Sequence, residues 1–170
     1  MQDLIGDSFF EEFKHNTGCV LDYCVLKSDL EYKAEESHKE AAIFAMQKWQ
    51  KDWKEKYDFD ISFDASKMKA HVIDSKEFFE VVSKDDDRYK CSYQYLFLNP
   101  PHGSSLTIED FNHINNMLFP NGYDCLEIYD WSTDWSDYFE DGLEWWGARC
   151  VSIYDKSLNR FIVIGASATD

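Results

Sequence analysis

Glycine and proline are scarce in this sequence, which has 7 glycines and 3 prolines among 170 residues. No proline-rich or glycine-rich linker divides the chain, and no G-x-G-x-x-G loop is present to cradle a phosphate group. The hydrophobic content of 44 % is ample for one packed core at this length. We therefore expect residues 1–170 to form a single domain.

Signals for secretion and for membrane insertion are missing as well. The first residues, from Met1 to Asp7, have neither a basic region nor a long apolar stretch. No apolar run approaches the roughly 20 residues that a helix needs to cross a bilayer. The five cysteines form no C-x-x-C pair, and their odd number favours reduced core residues. We expect a cytoplasmic protein that carries no cofactor.

Positive charge is absent from a large part of the chain, because residues 91–148 include neither lysine nor arginine. The same segment carries ten carboxylates, at Glu109, Asp110, Asp124, Glu127, Asp130, Asp134, Asp137, Glu140, Asp141 and Glu144. The whole chain has 33 acidic and 17 basic residues and a net charge of −16. A surface of this charge repels phosphates and anionic lipid, which argues against nucleic acid and membranes as partners.

Aromatic residues are interleaved with these carboxylates. They are Tyr123, Tyr129, Trp131, Trp135, Tyr138, Phe139, Trp145 and Trp146. Aromatic side chains provide rigid contact area in protein interfaces, and a field of one sign accelerates association with an oppositely charged protein. The combination favours the capture of a basic protein. The simpler interpretation is that the aromatic residues fill the core while the acidic residues keep the surface soluble.

Helices are predicted from capping residues and from apolar spacing. The candidate N-terminal caps are Ser8, Ser28, Asp74 and Thr107. They predict helices over residues 9–15, 29–57, 77–82 and 108–119. One or two further turns are predicted between residues 132 and 142, with Gly142 as the stop and with Trp131 and Trp135 on one helical face.

Strands are predicted from alternation over residues 59–63, 68–72 and 89–97, and from apolar runs over residues 125–131, 145–154 and 161–168. The last two runs form the clearest hairpin, and the strand over residues 89–97 is placed in the centre of the sheet. The expected fold is a single α+β domain. It has a mostly antiparallel sheet of five or six strands, helices packed on one face and a C-terminal β-hairpin.

The functional hypothesis follows from charge and aromatic content. We expect an acidic cytoplasmic inhibitor of a bacterial type, an immunity protein or antitoxin, that neutralises a basic toxin domain by covering its active site. A nuclease is the expected target, because a groove that binds nucleic acid must be cationic. The expected contact residues are Asp130, Trp131, Asp134, Trp135, Asp137, Tyr138, Glu140, Asp141, Glu144 and Trp145. No catalytic residue and no metal ligand is assigned.

Two other functions would use the same residues. A small hydrolase could use two carboxylates from residues 130–144 as an acid and base pair beside the tryptophans. A divalent cation could instead bind among Asp134, Asp137, Glu140 and Asp141 and support metal-dependent catalysis. A regulatory interaction module without a toxin partner is the third alternative. The choice depends on which aromatic residues are exposed, which the sequence alone leaves open.

Overall fold

The computed structural model describes residues 1–4, 7–29, 31–145 and 147–167. Within these ranges only the backbone is described for Asp7, Ser8, Cys91, Asp141, Glu144 and Trp145. The strands are β1 (Gln2–Asp3), β2 (Leu21–Lys27), β3 (Ala70–Ile73), β4 (Leu126–Trp131), β5 (Ala148–Asp155) and β6 (Arg160–Ser167). The α-helices are α1 (Asp7–Thr17), α2 (Glu35–Tyr57), α3 (Ser75–Phe78), α4 (Tyr93–Leu98), α5 (Ile108–Leu118) and α6 (Glu140–Trp145). Short 3-10 helices cover residues 65–67, 89–91 and 137–139.

The six strands form one antiparallel sheet in the order β1-β2-β6-β5-β4-β3. The predicted α+β fold with an antiparallel sheet is confirmed. The predicted C-terminal hairpin is confirmed too, with Asp155 paired to Arg160 at its turn. The hairpin lies in the middle of the sheet, so both of its strands gain partners on their outer sides.

Alternate side chains of the central strands enter two separate hydrophobic clusters. In β6, Ile162 and Ile164 belong to one cluster, and Phe161 and Val163 belong to the other. Because successive side chains of a strand point to opposite faces, the clusters lie on opposite faces of the sheet. The long helix α2 packs on one of these faces, which we call the α2 face. The shorter helices α1, α3, α4 and α5 contribute to the cluster on the other, the α5 face.

Helix α5 forms where the sequence predicts it. The Thr107 hydroxyl accepts a hydrogen bond from the Asp110 backbone N–H, and the Asp110 carboxylate accepts one from the Thr107 backbone N–H. This capping box satisfies two of the N–H groups that a helix start leaves without partners. The residues of the predicted apolar face, Phe111, Ile114, Asn115 and Leu118, are all buried.

The predicted central strand over residues 89–97 is wrong, because this segment contains a 3-10 helix and α4. Ser92 caps α4 by accepting a hydrogen bond from the Tyr95 backbone N–H. Tyr93, Leu96 and Phe97 are buried, and their spacing of three and four residues is helical. In a segment with so few polar residues, alternation and helical spacing coincide, and packing under the sheet decides between them.

Helix α2 begins at Glu35, later than the cap predicted at Ser28. Strand β2 continues to Lys27, so the chain needs a connection before the helix can lie across the sheet. Tyr32 of that connection stacks on Tyr154 with ring centres 4.0 Å apart. The connection is therefore anchored on the sheet by its own side chain, and the helix starts beyond it.

Two predictions about the neighbourhood of the acidic segment are also wrong. Residues 59–63 form no strand, and Phe63 makes a single isolated bridge with Ser136. Trp131 ends strand β4 and Trp135 follows in an irregular segment, so the two do not share a helical face. Gly142 lies inside α6 and does not end a helix.

Candidate functional site

Three aromatic residues that the sequence assigned to a partner interface lie inside the protein. Trp131, Trp135 and Tyr138 are buried in the cluster on the α2 face, and none of them is more than 6 % exposed. A partner cannot reach such side chains while the protein is folded. Their predicted role as contact anchors is corrected, because they stabilise the core.

Ring contacts explain the position of two of these residues. The Trp135 ring meets the rings of Phe63 and Phe139 at centre distances of 6.0 and 5.6 Å. The Tyr138 ring stacks on Trp49 at 5.3 Å, and its hydroxyl donates a hydrogen bond to Asp22 at 2.5 Å. Burial, and next the charge of Asp22, raise the pKa of Tyr138 well above its usual value. The hydroxyl therefore stays protonated and acts as a donor.

Trp131 belongs to a chain of hydrogen bonds that crosses the interior. Its indole N–H donates to the Ser152 hydroxyl at 2.8 Å, and that hydroxyl lies 2.9 Å from His38 Nδ1. On the other side of the ring, His38 Nε2 lies 3.2 Å from the Tyr32 hydroxyl, which donates to Glu127 Oε1 at 2.5 Å. The chain joins strands β4 and β5, helix α2 and the connection that contains Tyr32.

The two ring nitrogens of His38 face different partners. Nε2 lies beside the Tyr32 hydroxyl, which donates its proton to Glu127. Nδ1 lies 2.9 Å from the Ser152 hydroxyl and 3.1 Å from the Ser152 carbonyl oxygen. Burial lowers the pKa of His38 to about 4. His38 and Ser152 are fully buried, so this serine and histidine pair is structural and cannot reach a substrate.

Lysine and arginine side chains from outside residues 91–148 form ion pairs with carboxylates of this segment. Arg149 binds both carboxylate oxygens of Asp130, at 3.1 and 3.3 Å. Lys156 binds Glu127 at 2.9 Å. The expected field of one sign over the whole segment is thus corrected at these positions. Lysine and arginine are absent from the segment in sequence, but folding brings them to its carboxylates.

The acidic segment is joined to the connection that follows α2. Phe63 and Ser136 form the bridge between them, and the Asp137 backbone N–H donates to the Ser62 carbonyl at 3.2 Å. The Asp137 carboxylate accepts hydrogen bonds from the Ser62 backbone N–H at 2.6 Å and from its hydroxyl at 2.8 Å. Asp137 therefore holds two acidic stretches of the chain side by side.

This contact creates a composite surface, which we call the acidic face. It consists of exposed carboxylates and exposed aromatic rings from the two stretches, namely Tyr57, Asp58, Phe59, Asp60, Asp64, Asp134 and Glu140. Tyr57 and Phe59 are 59 % and 51 % exposed. The Trp53 ring, which also contacts Tyr138, supports them from below at centre distances of 5.3 and 6.2 Å.

Lys54 lies at the border of the acidic face. Its ammonium group is 2.9 Å from a carboxylate oxygen of Asp58 and 2.9 Å from one of Asp60. The hydrogen bond to Asp60, followed by that to Asp58, raises the pKa of Lys54. All three side chains are substantially exposed to solvent, where such ion pairs add little to stability.

The structure divides the predicted contact residues. Asp134 and Glu140 lie on the acidic face, and Asp137 joins its two halves. The predicted contacts of Asp141, Glu144 and Trp145 fall outside the described side chains. Sequence reasoning missed Tyr57, Asp58, Phe59 and Asp60, although the signal was present. These residues mix acidic and aromatic side chains as residues 123–146 do. Because apolar and acidic residues alternate from residue 58 onwards, the sequence instead predicts a strand there.

A cavity of about 780 Å³ opens on the α5 face. The ion pair of Asp130 and Arg149 lies in its floor, and the Arg149 guanidinium is 5.3 Å from the centre of the Phe78 ring. Tyr93 and Leu96 of α4 add an apolar wall. Its volume is within the range of ligand sites in proteins. Of the predicted contact residues, Asp130 and Trp131 line it.

The described residues provide no arrangement that identifies a catalytic or metal site. Among them, no group of three or more histidine, cysteine, aspartate or glutamate side chains is placed to hold a metal ion. Cys19, Cys24 and Cys150 are buried, as predicted, whereas Cys125 is exposed. None of the helices described is both long enough and apolar enough to cross a membrane.

Comparison with known proteins adds no family to this description. No protein family model, no curated protein and no solved structure matches the chain. The acidic face and the cavity are therefore the features of the molecule that point to a function.

Proposed function

We propose that this protein is an acidic inhibitor of the immunity-protein or antitoxin type, which acts in the cytoplasm by binding a basic toxin domain through the acidic face. A nuclease is the target whose chemistry fits best, because its substrate groove must carry positive charge. The proposal is carried by one observation: the exposed rings of Tyr57 and Phe59 alternate with the carboxylates of Asp58 and Asp60.

Exposed aromatic rings support a binding role. Tyrosine and phenylalanine bury large apolar areas when a partner covers them, and interface hot spots combine such rings with a polar rim. Tyr57 and Phe59 alternate in the chain with Asp58 and Asp60, whose carboxylates are exposed. The partly buried Trp53 ring contacts both rings and limits their motion, which lowers the entropy that they lose on binding.

The charge distribution supports a basic partner. A net charge of −16 gives the molecule a long-range field that attracts cationic proteins. Close to the surface, Lys54 holds Asp58 and Asp60 only through exposed ion pairs. An arginine of the partner could replace it and bind a carboxylate through two parallel hydrogen bonds.

The first experiment is affinity capture from the native lysate with this protein as bait, washed at low and at high salt. The expected result is a basic protein that salt releases, and whose nuclease activity falls when the inhibitor is added back. A captured protein that is not basic, or whose activity is unaffected, contradicts the proposal. Each captured protein is then tested with variants of the acidic face.

The charge contribution is measured with the triple variant Asp58→Asn, Asp60→Asn, Glu140→Gln. We expect the association rate to fall about tenfold at low salt, because three carboxylates leave the contact surface. The matched control replaces three exposed carboxylates elsewhere, at Glu31, Asp85 and Asp124, by their amides. Equal effects of the two variants would mean that only total charge matters and would reject the acidic face as the contact site.

The aromatic contribution is measured with Tyr57→Ser and Phe59→Ser. We expect the dissociation rate to rise about 30-fold for the double variant, because anchor residues mainly determine how long a complex lasts. Val81→Ser is the control, since Val81 is 56 % exposed but lies outside the acidic face. Unchanged dissociation in the double variant would show that these rings stay outside the interface.

A further inference from the structure

Strand β3 is the last strand of the sheet and pairs on one side only, with β4. Its residues Ala70 to Ile73 are largely accessible, and Val72 is 59 % exposed. Edge strands present unpaired backbone groups to which another chain can add a strand. Sheets protect such edges by keeping the edge strand short or by placing proline, bulges or charged side chains on it. Strand β3 is four residues long and contains no proline, lysine, arginine or carboxylate.

The alternation of hydrogen-bonded positions along β3 shows which of its backbone N–H and C=O groups point away from β4. The Ser132 backbone N–H donates to the Lys69 carbonyl at 2.8 Å, and these two residues lie opposite each other in the register of β3 and β4. In an antiparallel pair, hydrogen-bonded positions alternate along the strand. His71 and Ile73 therefore bond to β4, while the N–H and C=O groups of Ala70 and Val72 point away from it. In the described part of the chain these outward groups have no hydrogen-bond partner.

The cavity on the α5 face follows this edge. Its lining includes three successive residues of β3, His71, Val72 and Ile73. The side chains of His71 and Ile73 point to the α5 face, because they lie opposite Asp130 and Ile128. An added strand would thus place alternate side chains over the cavity.

Charge in the lining favours basic side chains on such a strand. The cavity is lined by four carboxylates and three cationic side chains: Glu77, Glu80, Asp87, Asp130, Arg88, Lys90 and Arg149. The Arg88 guanidinium is bound by Glu80 at 2.8 Å and by Asp86 at 2.8 Å, and Arg149 is bound by Asp130. These pairs account for Arg88, Arg149, Glu80 and Asp130, and they leave two carboxylates of the lining, Glu77 and Asp87, against one cation, Lys90.

We propose that β3 and this cavity form a docking groove for an extended, basic segment of the partner, which adds to the sheet as a seventh strand. The inference rests on the proposed function, because it assigns the segment to the same basic partner. Backbone bonds to Ala70 and Val72 hold the segment, and the cavity receives its alternate side chains. This mode of recognition takes affinity from the main chain and specificity from pockets.

The test uses a synthetic probe, a heptapeptide with alternating lysine and valine residues and blocked ends. Its binding to the full chain is followed by the backbone amide signals of Ala70 and Val72 in NMR spectra. Saturable shifts and slowed hydrogen exchange at these two amides are expected, with weaker binding of the peptide in which glutamate replaces lysine. Absence of these changes at millimolar peptide, or equal binding of the acidic peptide, overturns the proposal.

Two substitutions separate strand addition from other contacts. Val72→Pro removes one outward N–H group and leaves the bonds to β4 intact, because an edge strand tolerates proline where the N–H faces solvent. Val72→Thr keeps the N–H group and the β-branched shape. We expect affinity for the peptide to fall about fivefold in the first variant and to stay within about twofold in the second. Equal affinities overturn the proposal.

The groove and the acidic face fail separately. At physiological salt the variant Asp58→Asn, Asp60→Asn, Glu140→Gln should bind the peptide as the unaltered protein does, since these residues lie outside the groove. If Val72→Pro binds the peptide normally while the acidic-face variant loses the partner, only the groove is rejected. If the peptide result holds and the acidic-face variant keeps the partner, the proposed function loses its contact surface.

Discussion

Two polar regions of this molecule treat their charged groups in opposite ways. Around His38, a chain of hydrogen bonds connects Trp131, Ser152, Tyr32 and Glu127, and almost every polar atom in it has a partner. On the acidic face, carboxylates such as Asp58 are largely exposed and are held only by exposed ion pairs. Loss of any hydrogen bond in the first region lowers the stability of the fold. Loss of an ion pair in the second region has little effect on it.

The difference separates residues that fold the chain from residues that can meet a partner. A buried polar group without its partner is penalised by lost hydration, so the chain around His38 tolerates little change. An exposed carboxylate keeps its hydration and is available to a cation from outside. Residues 123–146 contribute to both regions. Trp131 and Trp135 are buried, whereas the carboxylates of Asp124, Asp134 and Glu140 are exposed.

The largest expected effect comes from removing a core aromatic residue of the acidic segment. Trp135→Ala should lower the free energy of unfolding by about 3–5 kcal/mol, because a fully buried indole leaves a cavity. Trp135→Phe should cost clearly less, since Trp135 Nε1 has no hydrogen-bond partner in the described structure. Denaturant unfolding followed by circular dichroism checks both. If Trp135→Ala unfolds like the unaltered protein, the ring is not part of the core.

The next effect is a dependence of stability on pH. The pKa of His38 is about 4 in the folded protein and about 6.5 when the residue is unperturbed. The unfolded chain therefore binds more protons between these values, and stability falls as the pH drops from about 6.5 towards 4. The expected loss is about 3 kcal/mol.

The control is the variant His38→Asn. We expect it to be less stable than the unaltered protein at neutral pH, but its side chain does not bind a proton as the pH falls. Denaturant unfolding of both proteins between pH 7 and pH 4 should give a shallower dependence for the variant. His71→Asn serves as the exposed histidine control. Parallel curves for the unaltered protein and for His38→Asn would contradict the neutral, buried histidine described above.

A smaller effect is expected at one link of the same chain. Trp131→Phe removes the indole N–H that donates to Ser152 at 2.8 Å and keeps most of the ring volume. The free energy of unfolding should fall by about 1–2 kcal/mol, because Ser152 loses a donor in the interior. Thermal and denaturant unfolding measure this loss. No change would mean that this hydrogen bond contributes less to the free energy of unfolding than its geometry implies.

The smallest effect should come from the acidic face. Asp58→Asn together with Asp60→Asn removes the two ion pairs of Lys54. The free energy of unfolding should change by no more than about 0.5 kcal/mol, since exposed pairs contribute little. The same denaturant measurements give the answer. A loss as large as that of Trp131→Phe would erase the distinction between the two regions.

Local features of the sequence predicted a large share of the fold. The apolar runs on either side of residues 155–160 predict the hairpin of β5 and β6. Both strands are buried on both faces, and such burial favours a run of mainly apolar residues. The capping box of Thr107 and Asp110 predicts the start of α5, and the cap at Asp74 predicts α3. In these segments, capping and periodicity agree with the tertiary packing.

Other segments depend on contacts that are distant in the chain. Residues 89–97 form a helix because they pack under the sheet, and α2 begins at Glu35 because Tyr32 is already fixed on Tyr154. The acidic face exists because Asp137 binds Ser62, a residue far away in sequence. The local sequence of neither stretch predicts that the two stretches lie side by side.

The sequence by itself determined the acidic charge, the antiparallel α+β architecture and the C-terminal hairpin, since composition and hydrophobic spacing act locally. Only the tertiary structure decided which aromatic residues are exposed. Burial depends on which parts of the folded chain come to lie over a ring, so Trp131 and Trp135 became core while Tyr57 and Phe59 reached the surface. Tertiary packing likewise brought Arg149 to Asp130 and Lys156 to Glu127, because ion pairs form between neighbours in space and not in sequence.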